Sequence, residues 1–447
     1  MKTVISGANG IGLHLATLLL KDKEDVVLVD ENEEKLNYLS GSFDLMTVNA
    51  SPTSVQVLKD AGVQSADLFV GVNADENINF TSCMLAHALG AKRTIARVDN
   101  PEYLNPHTKE LLKGAGIDHV VYPEYLAGLD IESSLHTSWA RLRWDVYDGT
   151  LILLGVKLRE LCRILDRPLS EICGPDDPFH IVAIKRNGET IIPSGNDKLQ
   201  LYDIAYFMTT KLQIPYIRQI VGKETYPDVH NVIIIGGGKT SVRAAKAMQG
   251  KFKVKIIESD EKRCEELNEL FDDDSTMIIN GDGRDINLLT DEGIAKTQAF
   301  VALTSNSETN ILACLTAKRL GVRKTVAMVE NLDYVSMAEN MDIGTIINKR
   351  TITASHIYQK TLKADVKDVK FMMTVDADVA EFVVAKNARV TKSLVKDLKL
   401  PSDMNIGGLI RDGEGILVSG NTQIMPGDRA VVFFRDTMIR KMEKYFT

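Results

Sequence analysis

The chain has 447 residues, of which 44% are hydrophobic and 26% charged, and it carries a formal net charge of −8; that length suits roughly two to four domains. The acidic balance argues against a nucleic-acid coat and against binding to anionic membrane surfaces. No apolar run approaches the roughly 18 residues of a membrane span, and five scattered cysteines without a C-x-x-C pair suit a reducing compartment rather than a disulfide framework. The apolar start is broken by Gly7, Gly10 and Gly12 and has no small-residue cleavage site before "KDKED", so it reads as part of the folded chain rather than as a signal peptide.

In chain order, "KTVISG" reads as a strand, "IGLHLATLLLKD" as a helix, "DVVLVD" as a strand and "EEKLNYLSGS" as a helix. The alternation continues through "LMTVNA", "SVQVLKDAG", "DLFVGV", "NFTSCMLAHALG" and "RTIARV". Near-continuous apolar strands separated by helices predict a parallel sheet covered on both faces. From about residue 138 the pattern changes to short strands punctuated by "RNG" and "PSGN", which predict a small α+β module built on hairpins. "PYIRQIVGKETYPDV" (Pro215–Val229) reads as the joint between two halves of the chain.

The second half repeats the plan of the first. "LGAKRTIARVDNPEY" (Leu89–Tyr103) aligns without gaps with "LGVRKTVAMVENLDY" (Leu320–Tyr334), with seven of the fifteen positions identical and five more conservatively changed. "IVAIKRNGETIIPSGNDKLQLYD" (Ile181–Asp203) aligns with "IGGLIRDGEGILVSGNTQIMPGD" (Ile406–Asp428). The sequence therefore predicts an α/β chain: a first Rossmann-like domain over 1–137 and a first small lobe over 138–220. A linker over 221–229 leads to a second Rossmann-like domain over 230–365 and a second small lobe over 366–447.

Each large unit opens with a glycine turn between strand and helix, and each has an acid ending the next strand. These are Gly7-Ala8-Asn9-Gly10-Ile11-Gly12 with Asp30, and Gly236-Gly237-Gly238-Lys239-Thr240-Ser241 with Glu258. Such turns let a phosphate approach the backbone at a helix N-terminus, and the acid accepts hydrogen bonds from a ribose diol. A carboxylate there disfavours a 2′-phosphate, so NAD or adenine nucleotides are expected over NADP. The turns differ: Asn9 stands where Gly238 supplies close approach, Gly10 stands where Lys239 could reach a phosphate, and Ser241 replaces the third glycine. A tight turn without a ligand is the alternative reading of either one.

Asp282, after the third strand of the second unit, is placed to contact an adenine edge or to cap a helix, and Ser51 is its counterpart. Asp75, Glu76, Asn79, Glu308 and Asn310 read mainly as helix caps. Arg97 ends an apolar strand where the other half has Met328; it could bind phosphate or form a salt bridge at a subunit or domain contact. Cys83 and Cys314 occupy matching core positions. The eight histidines, among them His180, His230 and His356, show no metal-ligand spacing. No nucleophile–base arrangement and no Walker motif is present, and small modules fill the space where a dehydrogenase carries its substrate domain.

Taken together, "GANGIG…VDENEEKL", "GGGKTS…IESDEKRCEEL", "VNASPTSVQVLKDAGVQSADLFVGV", "INGDGRDINLLTDEGIAKTQAFVAL" and "AIKRNGETIIPSGN" resemble the TrkA family over essentially the whole chain. The resemblance implies two RCK units, each a Rossmann N-lobe followed by a C-lobe, in a regulator rather than an enzyme. It implies NAD(H) and/or ATP/ADP as regulatory ligands and a membrane potassium-translocating partner of the TrkH/TrkG type. It further implies a homotetramer whose eight lobes form a ring, and a cytoplasmic location at the inner face of the membrane through that partner, without nucleic acid. Carried over by position, the ligand contacts would be the Gly7–Gly12 turn, Asp30 and Arg97 in the first half. Gly236, Gly238, Lys239, Glu258 and Asp282 would serve in the second. An NAD-dependent oxidoreductase, or a sensor serving another cation transporter, is the competing reading.

Overall fold

The computed structural model describes residues 1–42, 45–174, 177–272, 274–362, 366–371, 377–435 and 439–447. It divides into two contact units, Met1–Leu126 with Lys349–Lys363, and Ala127–Asn348 with Ala364–Thr447.

The first unit is built on β1 (Lys2–Ser6), β2 (Asp25–Asp30), β3 (Met46–Asn49), β4 (Leu68–Gly71), β5 (Thr94–Arg97) and β6 (His119–Val121). They form one sheet in the order β3-β2-β1-β4-β5-β6, every pair parallel. This is the doubly wound order whose switch point lies between β1 and β4. Val4, Val27, Val29, Phe69, Ala96 and Ile117 make its core with Cys83 and Ala86 from the helix Glu76–Leu89. These strands are apolar on consecutive residues because helices cover both faces. The helix Lys349–Gln359 belongs to this unit and packs along the helix Gly10–Lys21. Tyr358 hydrogen-bonds Asp22, and the Lys349 ammonium sits 3.1 Å from the Glu124 carboxylate. Nothing in the duplicated pattern announces that a helix following the second large sheet packs here.

The second unit holds three sheets. The first small sheet comprises β7 (Leu142–Val146), β8 (Leu151–Lys157), β9 (Phe179–Arg186), β10 (Glu189–Ile191) and β11 (Ile204–Thr209), ordered β10-β9-β11-β8-β7 and antiparallel throughout. The second large sheet comprises β12 (Asn231–Ile235), β13 (Lys253–Glu258), β14 (Thr276–Asn280), β15 (Ala299–Ala302), β16 (Lys324–Met328) and β17 (Thr345–Ile347). Its order, β14-β13-β12-β15-β16-β17, repeats that of the first unit. The last sheet, β18 (Val366–Phe371), β19 (Asp378–Val383), β20 (Met404–Arg411), β21 (Glu414–Leu417) and β22 (Arg429–Phe434), repeats the first small sheet strand for strand, as β18-β19-β22-β20-β21.

Both small sheets contain the hairpin that the turn residues predict. Asn187-Gly188 takes φ of +52° and +89°, and Asp412-Gly413 takes +54° and +85°, the paired positive φ of a tight two-residue connection. Inner faces of the two small sheets share one core, in which Leu151, Leu153, Tyr206 and Met208 meet Val379, Ile410, Val431 and Phe433. Each such fully buried side chain contributes about 1.5–3 kcal/mol. The segment expected as a joint is not a loose one: Ile214–Ile220 is a helix, and Ile217, Ile220 and Val221 lie in the core of the first small lobe. No helix among the described residues is long and apolar enough to cross a membrane.

Candidate nucleotide sites at the glycine turns

The second turn keeps its helix N-terminus open. Gly236 takes φ +89°, and a Cβ there would lie 3.0 Å from the Leu303 carbonyl oxygen, so the chain needs glycine to leave β12. Gly238 differs in kind. Its φ of −68° and ψ of 176° suit any residue, and a Cβ there would meet nothing within 4 Å. It precedes the helix Lys239–Met248, whose first turn accepts no side-chain cap. A helix start without a side-chain cap, beside open space, has the features of a candidate anion site.

A cleft of about 430 Å³ opens over this turn, lined by Gly236–Gly238, Glu258, Asp282, Arg284 and the Leu303–Asn306 loop, among others. That volume is within the range of small-molecule sites. Glu258 ends β13, and its Oε2 accepts the Gly237 amide at 2.5 Å while Oε1 accepts the Asp260 amide at 2.9 Å. Partial burial opposes its ionisation, but these amides and the Ser259 hydroxyl more than offset that, and the carboxyl is held below the usual glutamate range. An ionised carboxylate has roughly four acceptor positions, and the Gly237 and Asp260 amides and the Ser259 hydroxyl already take three of them. Asp282 is exposed and faces Arg284 in a two-pronged pair, 3.0 and 2.8 Å from Nε and Nη2; that contact pulls its pKa down.

The sequence pattern assigns the cleft's cation to Lys239. That side chain opens the helix but is not among the residues lining the cleft, where the guanidinium present is Arg284. Arg263 lies beside the turn but outside the cleft's lining, its Nε donating to the Gly237 carbonyl at 2.8 Å. Both lie away from the glycine motif in sequence, and the only signal is a basic residue beside each predicted acid or helix start.

The first turn is arranged differently. Gly7 takes φ +113°, and a Cβ on Gly12 would sit 2.0 Å from the Gly7 carbonyl oxygen, so both outer glycines are required by the fold. Asn9 has φ −91° and ψ 179°, an extended residue rather than a left-handed one. Its Oδ1 accepts the amides of Ile11 at 3.0 Å and Gly12 at 3.2 Å, and its side-chain amide donates to Val72. Asn9 thus caps the same helix start that Gly238 leaves open, occupying amides a phosphate would use. Ala8 donates its amide to Asp30 Oδ2 at 2.6 Å, the counterpart of the Gly237–Glu258 contact. Gly10 lies under the side chain of Arg350, whose Cδ would be 2.3 Å from an added Cβ. A cation therefore stands over the first turn, supplied by the helix Lys349–Gln359 and invisible to motif reading.

Arg97 does not point to a free phosphate position. Its Nη2 is 3.1 Å from Asp99, and its Nη1 donates to the Asn73 carbonyl at 3.4 Å. The ion pair is a local one, two residues along the chain, and not the subunit or domain salt bridge of the alternative reading. Asn79 and Asn310 are also not caps. Each is fully buried and ties the end of one strand to the next: Asn79 to Asn73 and the Arg97 carbonyl, Asn310 to Thr304 and the Met328 carbonyl. Asp75 and Asn306 perform the capping, accepting from Asn77 and Thr309. Glu76 accepts the amides of Asp99 and Asn100 instead. Cys83 and Cys314 are fully buried, and burial pushes both thiols up to about 12. Among the described residues no cluster of metal-ligating side chains occurs.

Comparisons with known proteins agree with this duplicated architecture. The family model of the TrkA-N domain matches residues 3–123 and again 232–349, and that of the TrkA-C domain matches 379–447. The Trk system potassium uptake protein TrkA homolog of Archaeoglobus fulgidus is 30% identical, covering 100% of both chains. The TrkA protein of Haemophilus influenzae is 30% identical over 100% of this chain and 98% of its own. Among solved structures, the GsuK RCK domain aligns over 100% of this chain and 94% of its own, with a TM-score of 0.60 at 18% identity. GsuK bound to NAD aligns over 100% and 78%, with a TM-score of 0.59 at 17% identity. Two TrkA-N matches, one on each glycine-turn sheet, and a full-length relative at 30% identity establish that this chain belongs to the TrkA family.

Proposed function

We propose that the chain is the nucleotide-sensing regulatory subunit of a Trk-type potassium uptake system, working at the inner face of the membrane beneath a potassium-translocating partner. The relatives are named for potassium uptake, and a structure of similar fold is described as bound to NAD. The observation that carries the reading is the uncapped helix start at Gly238, beside a cleft bearing Glu258 and Asp282. NAD(H) or an adenine nucleotide places its phosphates on the amides of the 236–239 turn and its ribose on Glu258. Two RCK units, 1–220 and 230–447, make four chains the complement of an eight-lobed ring. Nucleotide biases the ring, and through it the partner, only by its different affinity for the two ring shapes.

The test is calorimetric titration of the full chain with ATP, ADP, NAD⁺ and NADH, repeated on Glu258→Ala and Asp30→Ala. Glu258→Ala is expected to weaken binding more than Asp30→Ala, because the first turn's amides are already capped. The reverse order would overturn the ranking of the sites, and steady turnover of NADH with a small oxo acid would overturn the sensor reading itself.

A further inference from the structure

A second cavity, of about 300 Å³, lies in the second unit between the start of the first small lobe and the β16–β17 edge of the large sheet. Its described lining carries seven basic side chains, Arg141, Lys157, Arg159, Lys223, Lys318, Arg323 and Lys324, against the single carboxylate of Asp342; burial lowers the Lys324 pKa to about 7, so that residue adds only part of a charge at neutral pH. Like charges gathered in a partly buried space repel one another unless an anion joins them.

Asp342 answers part of that charge. It is hydrogen-bonded by Arg141 and Arg159, with Lys318 at 3.3 Å and Lys157 at 3.5 Å. It does so from a left-handed backbone, φ +60°, which aspartate tolerates better than most non-glycine residues. The carboxyl is held far below the aspartate range by these cations, against the opposing effect of burial. Burial and the neighbouring positive charges also lower the pKa values of Lys157 and Lys318. Lys324 is fully buried, donating to the Ala140 carbonyl at 2.9 Å and to Thr345 Oγ1 at 3.0 Å. Lys223 and Arg323 stand apart from Asp342 and flank the Tyr226 ring at 4.6 and 5.7 Å.

We infer that this cavity is a binding site for a compact oligophosphate, either free or as the phosphate end of a small nucleotide, with Asp342 serving as the internal anion in its absence. Several guanidinium and ammonium groups around a small space are the recognition chemistry of multiply charged phosphate. The volume is at the lower limit of small-molecule sites, which favours pyrophosphate or a mononucleotide over a dinucleotide. This site is separate from the glycine turns, so it stands or falls independently of the nucleotide reading proposed above.

The test titrates inorganic pyrophosphate, AMP and ADP into the full chain and into three variants. Lys223→Ala with Arg323→Ala should weaken pyrophosphate binding at least about tenfold. Asp342→Asn should strengthen it by about the same factor, since the competing carboxylate is gone. Lys396→Ala, which removes an exposed cation outside the cavity lining, should leave it unchanged. A fall in affinity in the Lys223/Arg323 variant that is equal for pyrophosphate and ADP and smaller for AMP identifies the shared diphosphate as the ligand, and a larger fall for ADP identifies the nucleotide form. Pyrophosphate affinity unaffected by the Lys223/Arg323 variant, or weakened as much by Lys396→Ala, would overturn the proposal. The Lys223/Arg323 variant alone decides the matter if Asp342→Asn does not fold.

Discussion

Gly238→Ala separates binding from folding at the second glycine turn. The residue sits at φ −68° and ψ 176°, and an added Cβ touches nothing within 4 Å. Two small terms act on stability. Alanine is a poorer helix N-cap than glycine by about 0.5 kcal/mol, and it lowers unfolded-state entropy to a stabilising effect of about 0.4–1 kcal/mol. They offset to within about 0.5 kcal/mol, so the urea unfolding midpoint should not move measurably. The open space is, however, the approach to the amides of the helix Lys239–Met248, and a methyl group there keeps a phosphate from reaching them. Losing one charge-assisted hydrogen bond costs about 1.5–3 kcal/mol, or a loss of affinity of about 10- to 150-fold. Calorimetric titration of ADP and NAD⁺, alongside urea unfolding, reads both quantities. Unchanged affinity would refute the placement of phosphate at this turn; a large fall in the unfolding midpoint would refute the claim that the site is open.

Asn9→Gly should have the opposite sign at the first turn, since it frees the Ile11 and Gly12 amides at a capping cost of only about a few tenths of a kcal/mol. In a Glu258→Ala background, ADP binding should rise, and calorimetry showing no gain would refute the self-capping account. Gly12→Ala should destabilise the first unit by about 2–4 kcal/mol, because its Cβ would lie 2.0 Å from the Gly7 carbonyl oxygen; a wild-type urea midpoint would contradict it. Burial, aided by the Lys21 charge, lowers the His14 pKa to about 4, and its Nε2 is buried without a hydrogen-bond partner. The unfolded chain therefore binds a proton that the fold resists between about pH 6.5 and 4, so stability is lost as the pH falls through that window. The slope is at most about 1.4 kcal/mol per pH unit, and His14→Leu should flatten it in urea unfolding series at pH 7, 6 and 5; an unchanged slope would place the titration elsewhere.

Local pattern determined the secondary structure, the duplication and the two glycine turns, because strand and helix periodicity and the φ demands of Gly7 and Gly236 are properties of short stretches. It also located the acids Asp30 and Glu258, which must end the strand beside the turn. Whether a turn is open was not legible there. Asn9 and Gly238 differ by where a side-chain oxygen comes to rest, and a motif does not encode that. The cations were the least legible. Arg350 reaches the first turn from residues far along the chain, Arg284 enters the second cleft from the loop after β14, and Arg97 turns away to Asp99. The Asp342 cluster likewise draws Arg141 and Arg159 from one lobe and Lys318 from another. Long flexible side chains are placed by the packing of distant elements, so only the tertiary structure decided where the positive charge of this protein gathers.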